Sequence, residues 1–325
     1  IGRGLQGAVA GVNITIPTGE VGSDPLIKIR GQVGSISGNN TPLILLDNVE
    51  IPSIQMVNPN DVQSISVLKD AASSSIYGSK AAFGVILITT KSGAQSDKFE
   101  ISYSNNFSWQ DPAKKIEIGG IEALQYTLDA QTNRREPMPA GGFWRISPES
   151  LEKAIEWQNL YGGKVKWNDP VVYGRDWYYD GKDKYGYRLY DGAKAMIKNW
   201  TPTMTHNLSV NGKSGKTSYN IGLGYLDQSG MSKTAKKDDF KRYNASVSVT
   251  SEINKYITVR ASSIYSDRNK RYPGIGNTTA DPWLYLYRWS PLMPMGVTEN
   301  GNPLKEPTYE MAAANTDNLQ NKYYN

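Results

Sequence analysis

Residues able to do acid–base or metal chemistry are scarce in this 325-residue chain. It holds one histidine, His206, and no cysteine, which removes thiol redox chemistry, Cys/His zinc sites and any Ser-His-Asp triad that does not use His206. His206 shares a strand face with Leu208 and Val210, so it reads as a sheet or interface histidine rather than a general base. Asp176, Asp180, Asp183 and Asp191 lack the spacing of an EF-hand loop, and paired-carboxylate catalysis needs a geometry that spacing alone does not supply. They read as solvated loop carboxylates. No catalysis, cofactor or metal is expected. What remains is recognition chemistry. The passage "GRDWYYDGKDKYGYRLYDG" (174–192) gathers Trp177, Tyr178, Tyr179, Tyr185, Tyr187 and Tyr190. Their flat faces and polar tips suit a sugar or a peptide; they equally suit packing of the loop itself or contact with a partner protein.

Composition narrows the scaffold. The hydrophobic fraction is 38% and the mean hydropathy −0.52, with no run approaching the roughly 18 apolar residues of a membrane helix. A membrane barrel stays open, because its strands alternate and dilute the average. Tyr (21) and Trp (8) far outnumber Phe (5), a bias toward interfaces. The net charge of +5 is spread out, with "KKDDFKR" (236–242) the densest patch. Nucleic-acid binding, which wants a basic stripe with interleaved aromatics, is not expected. No signal peptide precedes Ile1, as in a mature protein, a fragment or a cytosolic chain.

Residues 1–96 read as a compact α+β unit. "GVNITI" (11–16), "LIKIRG" (26–31), "PLILLDN" (42–48), "VQSISVL" (62–68) and "GVILITT" (84–90) are short β-rich runs between Gly, Pro and Asn punctuation, expected to form one small mixed sheet. Before the last run lies a helix of small side chains, Ala71 to Ser75, with Asp70 at its N-cap and Gly78 placed for a left-handed C-terminal cap. Such a helix buries little area, at roughly 25 cal/mol per Å². That suits either tight packing on the sheet or a contact made to be broken.

From residue 97 the texture changes to period-2 alternation. Phe99, Ile101, Tyr103, Asn105, Phe107 and Trp109 alternate with Glu100, Ser102, Ser104, Asn106 and Ser108. The pattern returns around 206–211, 218–225, 243–250 and 257–265. The polar faces are mostly Ser, Asn, Gly and Thr, where a soluble sandwich exposes more Lys and Glu, and the apolar faces begin or end in Tyr or Trp. Connections alternate between short ("GKSGK", 212–216; "EINK", 252–255) and long (about ninety residues before His206; "QSGMSKTAKKDDFKR", 228–242). This is the pattern of an up-and-down outer-membrane barrel, the alternative being a soluble antiparallel sheet. The long insert, about 111–203, is expected to hold helices over 121–133 and 148–161. Five strands cannot close a barrel, and open edges in lipid cost several kcal/mol per unpaired group, roughly, so further strands are expected to complete it.

The runs "LQGAVAGVNIT", "IKIRG", "PLILLDNVE", "NPNDVQSISVLKDAASSSIYGSKAAFGVILITTKSG" and "HNLSVNGKSGKTSYNIGLGYLDQSG" resemble the plug and first barrel strands of SusC/RagA-type TonB-dependent transporters. The resemblance is dense over 1–105 and clear over 200–268. Its plug motif falls on Arg30, Gly31, Asp47, Lys69, Asp70, Tyr77, Gly78 and Gly84, with Lys80, Phe83 and Asn48 standing where the family usually has Arg, Asn and Gly.

The resemblance implies a plug over 1–96 and, over 97–325, the first strands and extracellular loops of a 22-stranded barrel in the bacterial outer membrane. It implies import of oligosaccharides or oligopeptides under a SusD-like surface lipoprotein, driven by a TonB complex through a box preceding Ile1, and a dimer of transporter–lid pairs. The alternatives are a siderophore or cobalamin receptor and, in another class, a secreted β-rich glycan-binding or adhesin module.

Overall fold

The computed structural model describes residues 10–15, 21–29, 41–93, 99–112, 117, 119–134, 146–166, 168–181, 184–233, 237–272, 290–292 and 300. In chain order the strands and helices are β1 (Val12–Thr15), β2 (Leu26–Ile29), β3 (Leu43–Leu46), β4 (Val49–Glu50), β5 (Val62–Leu68), α1 (Ala71–Ser74), β6 (Val85–Thr90) and β7 (Glu100–Gln110). The insert follows, with α2 (Ile121–Arg134), α3 (Pro148–Tyr161), β8 (Trp177–Tyr179), β9 (Lys184–Gly186) and α4 (Gly192–Met196). Four long strands then follow: β10 (Thr201–Ser214), β11 (Thr217–Ser229), β12 (Asp239–Asn254) and β13 (Ile257–Arg271). The chain divides into two units, one of residues 1–110, 201–230 and 239–271, the other of 111–200, 231–238 and 272–325.

In the first unit, the N-terminal runs form two ladders rather than one sheet. β1 pairs with β2, and a four-stranded sheet has the order β4-β3-β6-β5, with β3 parallel to β6. The ladders share one core, in which Ile14, Ile27 and Ile29 meet Leu46, Ile54, Val57, Ile86 and Ile88. β4 was not apparent in the sequence. It exists because Asp47 (φ 46°) and Asn48 (φ 69°) both adopt left-handed backbone, the tight-hairpin turn that Asn and Asp tolerate best after Gly.

The small-residue helix is shorter than expected: α1 has four residues and continues as 3₁₀ turns at Ser75–Tyr77 and Ser79–Ala81. Asp70 occupies the N-cap without a side-chain capping bond. Serines favour local backbone bonds over helix propagation, and so short a run cannot offset helix nucleation. Gly78 has φ 70° and ψ −159°, so it ends the turn in glycine-only backbone rather than in a left-handed helical cap.

The five long strands form one antiparallel sheet in the order β13-β12-β11-β10-β7. They extend beyond the alternating cores read from the sequence, so the turns shrink to Gly215–Lys216 and Lys255–Tyr256. The faces sort as the period requires. Ile101, Trp109, Leu223 and Tyr265 are 59%, 61%, 49% and 65% exposed, whereas Asn220, Asn244, Ser246 and Ser248 on the opposite face are buried. Among the described residues no helix is long and apolar enough to cross a membrane, which says nothing about crossing by strands.

In the second unit, α2 and α3 run over nearly the residues expected. Ser147 caps α3 and Pro148 opens it. Their shared core is Leu124, Ile146, Leu151, Ala154 and Leu292.

Two plug glycines separate backbone strain from crowding. At Gly84 (φ 93°) an added Cβ would lie 2.7 Å from Ile29 Cδ1 and 3.1 Å from the Leu68 carbonyl, whereas at Gly78 it would meet nothing. Gly84→Ala is expected to destabilise the plug by about 2–4 kcal/mol and Gly78→Ala by about 1–3 kcal/mol. Hydrogen exchange of the plug amides in the full-length protein checks the order; a larger loss at Gly78 would contradict it.

Candidate functional site

The plug-motif residues act as joints in the N-terminal fold. The Asp47 carboxylate accepts from Thr90 N at 2.9 Å and Thr90 Oγ1 at 2.5 Å, tying the β3–β4 turn to the end of β6. Lys69 Nζ donates to the Ala10 carbonyl. Tyr77 packs against Leu43, Leu45, Ala81 and Val85. Lys80, in place of the family's Arg, pairs with Glu50 at 2.7 Å on the surface, a contact worth at most about 1 kcal/mol. Arg30 and Gly31 lie outside the described residues.

Sequence reasoning missed how the plug meets the sheet. The segment Ser53–Asp61, two 3₁₀ turns capped by Ser53 and Asn58, lies on the polar face of β10–β13. Asn58 Nδ2 donates to Asn207 Oδ1 (2.9 Å), Arg242 donates to the Gln55 carbonyl (2.9 Å) and Asn244 Nδ2 to the Met56 carbonyl (2.7 Å). Ser246 Oγ donates to Asp61 Oδ2 (2.8 Å), and Arg268 to Ser53 Oγ (2.9 Å). Each such bond contributes about 1 kcal/mol net, more where a charge takes part. The wall is cut to fit: a Cβ at Gly222 would sit 2.6 Å from Asp61 Oδ1, and one at Gly224 2.6 Å from Asn58 Nδ2. Ile264, the apolar exception on the polar face of β13, packs against the plug core. The signal available in the sequence was this break in alternation, together with the two glycines opposite it.

On the other face of the sheet, His206 sits in an aromatic row. Its Nδ1 lies 2.8 Å from Tyr103 Oη, and its ring stacks between Tyr103 (6.2 Å) and Tyr225 (6.3 Å). Tyr243 follows at 5.0 Å from Tyr225. A histidine so placed belongs to the aromatic surface of the sheet.

Burial pushes the Asp61 carboxyl above its ordinary value, against the opposing pull of Ser246, Lys91 and Arg242.

In the second unit, the aromatic passage splits in two. Tyr187 and Tyr190 are buried, the Tyr190 ring lying 4.8 Å beneath the Arg188 guanidinium, so they form interior rather than a ligand-facing surface. Tyr178 is exposed and Trp177 half-buried, both gathered by exposed Tyr173, which meets Trp177 edge-on (5.1 Å) and stacks on Tyr178 (6.1 Å). The Tyr179 hydroxyl donates to the Gly181 carbonyl and that of Tyr185 to Asp180. Tyr173 escaped notice because it lies one residue before the aromatic passage, across a turn.

The solvated-carboxylate reading fails at Asp176, which is fully buried. It accepts from Trp157 Nε1 (2.9 Å), Val172 N (3.0 Å) and the Arg175 fork (2.8 and 2.7 Å), with Arg188 at 3.3 Å. Arg188 is itself buried and also donates to the carbonyls of Lys166 and Asp169. Burial alone would raise the Asp176 carboxyl. The bonds from Arg175, Val172 and Trp157 outweigh it and hold the group below the ordinary range. Asp191 caps α4 through Lys194 N, and Asp183 lies outside the described residues. Among the described residues no group of acidic, His or Cys side chains could hold a metal ion.

Comparison with known proteins agrees with this architecture. The TonB-dependent Receptor Plug Domain family matches residues 1–85. TonB-dependent receptor SusC of Bacteroides thetaiotaomicron is 27% identical over 254 residues, 75% of this chain and 20% of the relative. TonB-dependent receptor P26 of Formosa agariphila is 27% identical over 99% of this chain and 29% of its own length. Structures of the RagAB peptide importer in its closed-closed and open-open states superpose with TM-scores of 0.60 and 0.61 at 28% and 26% identity. Each covers 95% of this chain and 33% of the importer chain. The chain thus spans between a fifth and a third of the lengths of these relatives. TonB-dependent receptors reside in the bacterial outer membrane and are transporters, not enzymes.

Two carboxylates are expected to respond oppositely to pH. Because the Asp61 value is raised, the seated plug favours the protonated acid, and its ionisation costs stability as pH rises through the raised value. Asp61→Asn, which still accepts from Ser246, should therefore raise the thermal stability of the full-length protein at pH 7 and leave it unchanged near pH 3; a loss at pH 7 would contradict the sign. Asp176 is depressed, so its contribution is present above the ordinary carboxylate value and fades as pH falls through the depressed one. Asp176→Asn leaves buried Arg188 without a counter-charge and should cost the second unit about 3–5 kcal/mol, read as faster proteolysis within 146–200.

Proposed function

We propose that this chain, a TonB-dependent receptor of the SusC/RagA type by its plug domain and its homologues, forms the plug (1–96) and the first barrel strands and extracellular loops (97–325) of an outer-membrane importer of oligopeptides or oligosaccharides. Import is driven by a TonB complex acting on a segment preceding residue 1, and a SusD-like lipoprotein covers the mouth, in paired transporter–lid assemblies. One observation carries the reading. A compact α+β domain is hydrogen-bonded to the Ser/Asn/Gly face of consecutive antiparallel strands whose opposite face presents exposed Leu, Ile, Val and aromatic side chains. A soluble sheet would bury its apolar face and wet its polar one. Here the assignment is inverted, as a stoppered, water-lined barrel requires.

For cargo, oligopeptides come first, because the likeness to the RagAB peptide importer runs over 95% of the chain. The stacked, exposed Tyr173 and Tyr178 support oligosaccharides as the second reading, since flat exposed rings also suit sugar faces.

Cells lacking the full-length gene are expected to stop depleting a tryptic digest of casein from the medium, and a wild-type copy should restore depletion unless the proton gradient is collapsed. Tyr173→Ala with Tyr178→Ala should slow depletion several-fold at unchanged protein abundance. Undiminished peptide uptake in the deletion strain, with loss of maltooligosaccharide uptake instead, would move the cargo to sugars; no change in either would end the importer reading.

A further inference from the structure

A plug that lets cargo through must move somewhere, and its contacts with the wall are unevenly distributed. Over only nine residues, Ser53–Asp61 places two backbone carbonyls and three side chains in hydrogen bonds to three strands of the sheet, through Asn207 on β10, Arg242, Asn244 and Ser246 on β12, and Arg268 on β13. β11 contributes space instead, at Gly222 and Gly224. Two of the wall donors, Arg242 and Asn244, are more than nine-tenths buried, so breaking their bonds means exposing or reburying groups that water does not reach. Ile54 and Val57 point from the same segment into the plug core, where Ile264 of the wall joins them. The segment is therefore nailed on both sides. The run after it is built differently. Ser75 Oγ bonds the Ala72 carbonyl within its own turn, Lys80 pairs with Glu50 of the plug at the surface, and Ile76 is 79% exposed. Gly78 occupies backbone open only to glycine, and a β-carbon added there would have nothing within 4 Å.

We propose that Ser53–Asp61 is the fixed point of the plug: it stays seated on β10–β13 during transport, and the rearrangement that opens the lumen takes place in the rest of the domain, with the largely exposed 72–80 run as a moving part. The inference rests on the importer reading above. It places the path of the cargo on the side of the plug away from these four strands.

The test uses the full-length transporter in its own outer membrane. The pairs Asn58→Cys with Asn207→Cys and Asp61→Cys with Ser246→Cys are oxidised to lock the segment to the wall; the 325 residues contribute no cysteine of their own. Uptake of casein tryptic peptides is compared before and after reduction, with cross-linking verified by peptide mass. The expected result is uptake by the locked protein within twofold of the reduced form. A tenfold loss on oxidation that reduction restores would overturn the proposal. If the reduced variants and the parent alike import no peptide, the importer reading is what has failed, and hydrogen exchange of the purified full-length protein then decides the fixed point. Protection over 53–61 at least tenfold longer than over 72–80 supports it, and equal exchange overturns it.

Discussion

Alternate side chains of a strand point to opposite sides, and in β7 and β10–β13 the two sides face incompatible surroundings. One face carries Ile101, Leu208, Leu223 and Val247, the other Ser104, Asn207, Asn244 and Ser246. A one-residue slip in any of these ladders would put hydroxyls and amides in hydrocarbon and leucines against the plug. The antiparallel register, unbroken from β7 to β12 and shifted in β12–β13 only at the Glu252–Asn254 end, keeps both assignments at once, and everything packed against the polar face inherits its terms.

The first of those terms is that the plug must be held by polar contacts. Its apolar side chains are spent internally, on the core around Ile54, Val57, Ile86 and Ile88, while its meeting surface with the wall is mostly amide, hydroxyl and guanidinium. Hydrogen bonds of this kind fix position through direction and partner rather than through buried area, and those to buried Arg242 and Asn244 are the costliest to leave unmade. The insert solves the opposite problem. It builds a second centre, where α3 presents Trp157 to Asp176, and Arg175 and Arg188 close around the same carboxylate. Removing one member of such a group is far more damaging than its net contribution suggests.

Much of the architecture was legible because it is periodic. Alternation from Phe99 onward located all five long strands, and the short-versus-long rule for their connections held. Strand ends were underestimated, since Gly212, Lys213 and Ser214 look like turn residues but are still paired with β11. β4 was invisible: two residues have no period, and its cause is backbone conformation at Asp47 and Asn48. The small-residue run was expected as a helix and is one turn of α followed by 3₁₀, because composition reports propensity and not length. Asp176 was misread for a different reason. Charge in a loop is usually solvated, and only three-dimensional convergence of Trp157, Arg175 and Arg188, scattered over thirty residues, reveals a buried node. The fit of Ser53–Asp61 to the wall is likewise a property of two distant segments, so neither one alone announces it.

Gly222 and Gly224 make β11 the thin part of the wall, and thinness has an evolutionary consequence. The missing side chains on β11 and the carboxylate and amide of Asp61 and Asn58 occupy one shared volume. Growth on one side demands shrinkage on the other. Homologues in which position 222 or 224 bears a methyl or hydroxyl group should hold a smaller residue at position 61 or 58, so that drift in this part of the molecule proceeds by paired exchange rather than by single steps.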